Sequence, residues 1–253
     1  MLSKGLIKLI NSLNYKKYRE KHQLFIAEGE KLVFDLIKMG APLKYVFSEK
    51  QIVKMNPGTE FIQCKEGELG KISFLKNSPG IIALVKYEEQ KVIPGEILQK
   101  FSIALDGIQD PGNMGTIIRL ANWFGIEHII CSNDCVDIYN PKVVQASMGA
   151  LLGVKITYTH LPEFVKALLS HPGFGIYGAY MQGESIYQAK LGETGLLVMG
   201  SEGKGISTGL ERLVNRKISI PSFHKGDSSA ESLNVAIATG IIVSEFARQH
   251  DPN

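Results

Sequence analysis

The sequence predicts an α/β protein in two parts, a small N-terminal α/β module and a larger C-terminal domain with a mostly parallel sheet and helices on both faces. Three observations predict it. Short apolar runs alternate with helical patterns through the C-terminal half. A charged stretch with a Pro-Gly pair, "KYEEQKVIPGEILQK" from Lys86 to Lys100, separates two apolar strands. With 44% apolar and 21% charged residues, the composition supplies genuine cores and argues against disorder. The seam divides the chain into residues 1–95 and 96–253, both ordinary domain sizes.

In the first part, "EGEKLVFDLIKMG" places Leu32, Val33, Leu36 and Ile37 at helical spacing and stops at Gly40. "KYVFS" and "GIIALVKY" read as short buried strands. In the second part the strand-like runs are "FSIALDGI", "EHIICS", "GVKITYT", "GFGIYGAYM", "GLLVMG" and "KISIPS". Between them lie the helical patterns "TIIRLANWFG", "PKVVQASMGALLG", "LPEFVKALLS" and "GISTGLERLVN". A long helix, "SLNVAIATGIIVSEFARQ", follows the last strand. Runs that are apolar throughout, rather than alternating, belong to strands covered on both faces.

Composition also excludes functions. A net charge of +3 and a pI near 8.6 permit an RNA partner without demanding one. The three cysteines, Cys64, Cys131 and Cys135, have no framework or zinc-ligand spacing, so they read as free thiols in a reducing compartment and no metal is expected. No apolar run approaches bilayer length and the N-terminus has no cleavage site, so the expectation is a soluble, cytoplasmic protein without membrane contact.

In an open parallel sheet, ligands bind at the carboxyl ends of the strands. Three unusual loops follow strands: "DPGNMG", "GSEGKG" and "PSFHKGDSSAESLN". Neither the G-x-G-x-x-G order nor a P-loop is present in them, which disfavours dinucleotide and ATP chemistry. None of the six histidines lies in a recognisable Ser-His or Cys-His setting, and His224 in the third loop reads as a solvated histidine.

Together, "DPGNMGTIIRLANWFG", "VMGSEGKGIS" and "ISIPSFHKGDSSAESLNVAIATGIIVSEFARQ" resemble the three motifs of the SpoU/TrmH family, RNA ribose 2′-O-methyltransferases of the SPOUT superfamily. "YNPKVVQASMGALLGV" is similar to the family's segment between its first and second motifs. "KYREKHQLFIAEGEKLVFDLI" is similar to the start of the RNA-binding domain that often precedes the catalytic one. The resemblance implies a C-terminal trefoil knot, a homodimer, S-adenosyl-L-methionine as cofactor, and structured RNA as substrate, ribosomal RNA ahead of tRNA. The first domain would then bind RNA and residues 96–253 would form the SPOUT methyltransferase domain. A non-catalytic RNA-binding or ribosome-assembly protein on the same fold is the alternative from another class.

The resemblance also assigns residues. Asn113, Arg119, Glu202, Ser232 and Asn234 fall on active-site positions, and Gly200, Ile220 and Leu233 on cofactor-contacting ones. Asp110, Pro111 and Gly112 suit a tight turn, Asn113 can cap the following helix and Ser232 the final one. Arg119 is expected one turn into the helix after that loop. Because a guanidinium stays protonated, its expected role is to orient the 2′-hydroxyl and stabilise developing alkoxide charge rather than to take the proton. The stretch Phe223–Ala230 is longer than the family's compact loop and leaves the third motif's geometry open.

Overall fold

The computed structural model describes residues 2–52, 55–77, 79–224 and 232–250. In chain order the elements are α1 (Lys4–Ser12), α2 (Lys16–His22), β1 (Leu24–Glu28), α3 (Glu30–Lys38), β2 (Leu43–Ser48), β3 (Glu60–Gln63), β4 (Ile81–Lys86) and α4 (Pro94–Ile97). They continue with β5 (Phe101–Asp106), α5 (Pro111–Trp123), β6 (His128–Ser132), α6 (Pro141–Ser147), β7 (Lys155–Thr159) and α7 (Leu161–Leu168). The last are β8 (Ile176–Ser185), β9 (Gly195–Gly200), α8 (Thr208–Glu211), β10 (Arg216–Ser219) and α9 (Val235–His250). By packing they form two units: residues 2–89 with 137–152, and 90–136 with 153–250.

The first unit is a four-stranded mixed sheet in the order β1-β4-β2-β3, with β4 antiparallel to both neighbours and β3 parallel to β2. One core gathers Ile10 of α1 and Leu13, which caps it, with Leu24, Ile26, Phe47, Ile82 and Leu84 of the sheet. The helix read from Leu32, Val33 and Leu36 is α3, with those three side chains buried.

The segment between the first two motifs, placed by sequence reasoning in the C-terminal domain, packs instead within the first unit. Tyr139 stacks on Tyr87 with centroids 3.8 Å apart and on Phe25 at 5.0 Å. Asp137 accepts from the buried Arg19 Nε at 2.9 Å. Chain continuity suggested one domain, but these long-range aromatic and ionic contacts decide otherwise. The helix expected over "PKVVQASMGALLG" ends at Ser147, because Met148 and Gly149 take φ of +51° and +86°.

The second unit is a six-stranded sheet, parallel throughout, in the order β10-β8-β9-β5-β6-β7. All six expected strands are present. Alternate residues face opposite ways. Ala104, Ile130, Leu196 and Val198 pack with Leu161, Val165 and Leu168 of α7. Phe101 points the other way and stacks on Phe246 of α9 at 3.8 Å. Helices therefore cover both faces. From β5 the chain winds outward through β6 and β7, while β9, on the other side of β5, leads away towards β10. The β5–β9 boundary is thus the point where strand order reverses, and the crevice outside its carboxyl ends is the geometric place for a ligand. Among the described residues no helix is long and apolar enough to cross a membrane.

The loop after β9 folds straight back on its strand. Gly205 N donates to Ser201 O at 2.8 Å, and Gly205 takes a φ of +67°. A Cβ on Gly200 would lie 2.1 Å from the Gly205 carbonyl carbon, whereas one on Gly203 would meet nothing within 4 Å. Gly200→Ala should therefore lower Tm by roughly 6–12 °C in thermal melts, and Gly203→Ala by less than about 3 °C. Near-equal melting of the two would contradict the backbone overlap.

On α9, the buried Glu245 accepts from Arg248 Nε at 2.8 Å and Gln249 Nε2 at 2.8 Å, and these bonds hold its carboxyl down at about 2. A depressed carboxylate stabilises the fold above its unfolded value near 4.3 and loses that contribution as pH falls towards 2. Melts of wild type and Glu245→Gln should accordingly differ at pH 7, converge below pH 4 and coincide near pH 2.

Candidate active site

The site is assembled from the carboxyl ends of β5 and β9 and the start of α9. Asp106 ends β5, and its Oδ2 accepts from Ser207 N at 2.6 Å, tying the end of β5 to the loop after β9. Gly107, at φ +70°, turns the chain, and its amide donates to Ser132 Oγ at 2.8 Å. Beneath this turn lies Cys135, whose Sγ accepts from Ile108 N at 3.3 Å. Hydrogen bonding from Cys131, with help from Ser132 and backbone amides, draws the Cys135 thiol down to about 7 against the opposing effect of burial. These thiols are buried and unbridged, and they pack the turn rather than face the cleft.

The first motif is a helix start, not a free-standing turn. Asp110 is the N-cap of α5, its Oδ1 accepting from Asn113 N at 2.8 Å, and Pro111 occupies the first helical position. Asn113 is therefore not the cap expected of it. Its side chain is free to work elsewhere. Asn113 Nδ2 donates to Glu202 Oε1 at 2.5 Å, and its Oδ1 accepts from Asn234 Nδ2 at 2.9 Å. Asn234 Nδ2 also donates to Glu202 Oε1 at 3.1 Å. The three motifs thus meet in one triangle of side chains.

Asn234 has a second task. Its Oδ1 accepts from Ala236 N at 3.0 Å and from Ile237 N at 3.3 Å, capping α9. This is the role expected of Ser232, which instead lines the cleft two residues earlier. With Oδ1 committed to the helix, the Asn234 amide can only donate outward. That fixes Asn113 to accept from it and to donate to Glu202. Two donors converge on Oε1, and among the described residues Oε2 of this exposed carboxylate has no partner.

Beside the triangle lies a cleft of about 720 Å³ whose walls include Gly200, Glu202, Ile220, Ser232 and Leu233. Five of the eight residues assigned from the sequence therefore share one cavity, and Asn113 and Asn234 join it through Glu202. Arg119 does not. It is the ninth residue of α5 rather than one turn in, about 9 Å along the helix from Asn113. It lies on the exposed stripe with Thr116 and Trp123, and among the described residues it makes no hydrogen bond or ion pair.

The cleft also holds residues to which the motifs assigned no role. Met199, Ile206, Ile218 and Ile242 supply apolar wall, and Tyr180 comes from β8. The Tyr180 hydroxyl is buried without a hydrogen-bond partner among the described residues, and burial raises its pKa. Apolar pattern was the signal for these positions, and it does not separate cleft from core. His224 is exposed and lines the cleft. Of the long third-motif loop, Phe223 and His224 are described and residues 225–230 lie outside the described residues.

Known proteins bear on this geometry. The sequence profile of the SpoU rRNA Methylase family matches residues 100–244, and that of an MRM3-like substrate binding domain matches residues 4–83. The chain is 28% identical over 235 residues to the 23S rRNA (guanosine(2553)-2′-O)-methyltransferase RlmP of Bacillus subtilis, covering 91% of each. A solved TrmH-family protein from Porphyromonas gingivalis is 36% identical, with a TM-score of 0.87 over 98% of this chain and 99% of that one. An rRNA methyltransferase from Sinorhizobium meliloti, solved with AdoMet bound, is 27% identical with a TM-score of 0.83 over 100% and 97%. The three motifs meet where the sheet reverses, the profile spans the whole of that unit's candidate site, and the fold agrees along the full length: the chain belongs to the SpoU rRNA methylase family.

Proposed function

We propose that this chain transfers the methyl group of S-adenosyl-L-methionine to a ribose 2′-hydroxyl of ribosomal RNA. The observation that carries the reading is the convergence of Asn113, Glu202 and Asn234 on the mouth of the cleft.

The cleft suits the cofactor. Its volume lies within the usual range for small-ligand sites, and its wall of isoleucines with a few polar groups fits an adenosine and a methionine chain better than a pyrophosphate. Gly200, Ile220 and Leu233 would hold it. When bound, it supplies a methyl group on a cationic sulfonium, an electrophile that needs no metal. The chain's own task is to bring one hydroxyl into line and to manage its charge. Glu202, with Oε1 held by two amides, presents Oε2 to a hydroxyl or a cation, and Ser232 adds a hydroxyl on the same rim. Arg119 contributes by orienting the ribose and stabilising alkoxide character from the outer side of α5.

The same reading assigns RNA recognition to the first unit, methyl transfer to the second and a cytoplasmic site of action. It also pairs two copies of the chain. Trp123, four residues after Arg119 on α5, is 84% exposed, and Ile237 of α9 is 55% exposed, leaving apolar surface on these two packed helices for a second copy to cover. Threading of the chain from β10 through α9 as a trefoil knot belongs to this reading too.

Labelled S-adenosylmethionine, incubated separately with unmodified rRNA and tRNA, should label the rRNA at one alkali-resistant ribose. Arg119→Ala should lower kcat/KM by at least 100-fold while leaving S-adenosylhomocysteine affinity within about 3-fold. Arg119→Lys should lose at least 10-fold, because an ammonium cannot reproduce the planar fork. Near-normal turnover of the lysine variant would contradict the assigned role. Label in tRNA alone would overturn the substrate.

A further inference from the structure

Positive charge in this chain is concentrated at its start. The first 22 residues carry Lys4, Lys8, Lys16, Lys17, Arg19 and Lys21 against the single carboxylate of Glu20. That segment's net +5 exceeds the +3 of the whole chain, so the remainder is net acidic. Total charge conceals the patch. Placement reveals it.

Arg19 is used internally. Its buried guanidinium donates from Nη1 to Leu13 O at 2.7 Å and Asn14 O at 2.9 Å, and from Nε to Asp137. These bonds fix the turn between α1 and α2. Tyr15 stands at that turn with 62% of its surface exposed, far more than a tyrosine shows when it serves a core. Its ring meets Tyr18 edge-on with centroids 6.5 Å apart, and Lys17 Nζ lies 4.9 Å from the Tyr18 ring centre. Lys17 and Lys21 are exposed at i, i+4 spacing on α2, and Lys4 and Lys8 repeat that spacing on α1.

We propose that the α1–α2 turn and the exposed side of α2 form the RNA-contacting surface of the N-terminal unit. Tyr15 stacks on an unpaired base, and Lys8, Lys17 and Lys21 meet flanking phosphates. The identity of the polyanion rests on the activity proposed above. The chemistry of the surface does not. Lysine is depleted from protein–protein contacts, whereas aromatic faces set among lysines are the recurring platform for single-stranded nucleic acid. Structured RNA offers such bases in its loops and bulges. Because Arg19 already orders the turn, little further ordering opposes binding there.

The test uses the full chain and an unmodified 23S rRNA transcript, with affinity measured across a salt series. The triple variant Lys8→Gln/Lys17→Gln/Lys21→Gln should bind at least 10-fold more weakly near 0.15 M salt. Its slope of log affinity against log salt should fall by about 2. Tyr15→Ala should weaken binding by roughly 5- to 50-fold, and Tyr15→Phe should remain near wild type, because stacking needs the ring and not the hydroxyl. S-adenosylhomocysteine affinity should stay unchanged in every variant, reporting an intact second unit. Wild-type affinity and slope in the triple variant, or wild-type affinity in Tyr15→Ala, would overturn the surface. So would absence of RNA binding by wild type. Methyl transfer is scored separately. RNA binding with these sensitivities but without transfer would remove the activity and leave the surface. Transfer by the triple variant at wild-type kcat/KM would remove the surface and leave the activity.

Discussion

Parallel pairing of β5 with β9 runs from Phe101 opposite Gly195 to Asp106 opposite Gly200, and the rest of the site hangs from that register. Both strands end on the same row, so the loops that follow leave the sheet side by side. One loop must turn into α5 and the other must fold back over Gly200. A shift of one residue would send Asp106 to the wrong face and remove its bond to Ser207. The β5–β9 boundary is also where strand order reverses, which opens a crevice without further design. Asn113 and Glu202 are 89 positions apart in sequence and become neighbours because the two strands are.

Stability and function share groups at this site. Asn234 caps a 16-residue helix through its Oδ1 while its amide nitrogen serves Glu202 and Asn113. An N-cap of this kind contributes about 1 kcal/mol, and hydrogen bonds to a charged acceptor somewhat more. Those are modest energies beside the apolar packing of α9. Their value is directional, since a capped asparagine cannot rotate to offer its oxygen to the carboxylate. The helices α5 and α9 both begin at the triangle and pack against each other, with Leu120 lying close under Gly240. The N-terminal ends of two helices therefore meet beside Glu202.

Most of the fold was legible. The six strands of the parallel sheet announced themselves because burial on both faces demands unbroken apolar runs, as in "GLLVMG". In the first unit, β1 is as fully buried but follows directly on the charged α2, and β3 is half exposed, so neither produced a clean signal. Residues 137–152 were misplaced because their contacts, Tyr139 on Phe25 and Asp137 on Arg19, depend on side chains over 100 positions away. Of the site, the three motifs were legible as chemistry but not as geometry. A Pro after an Asp reads equally as a turn or a helix start, and only the Asp110 bond to Asn113 N decides it. That decision moved Arg119 from the first turn to the third. Tyr180, Met199 and Ile242 fall within the quoted runs and motifs but were not legible as cleft lining, because cleft walls and cores use the same residues.

The central claim is that Asn113, Glu202 and Asn234 act as one unit rather than as three separate contributors. A double-mutant cycle tests it most directly, using single-turnover methyl transfer for wild type, Asn113→Ala, Glu202→Gln and the double variant. Because each single change already breaks the triangle, the double variant should be no more than about 3-fold slower than the worse single one, a strong departure from additivity. Multiplicative losses in the double variant would mean that the two side chains act independently, and would contradict the account.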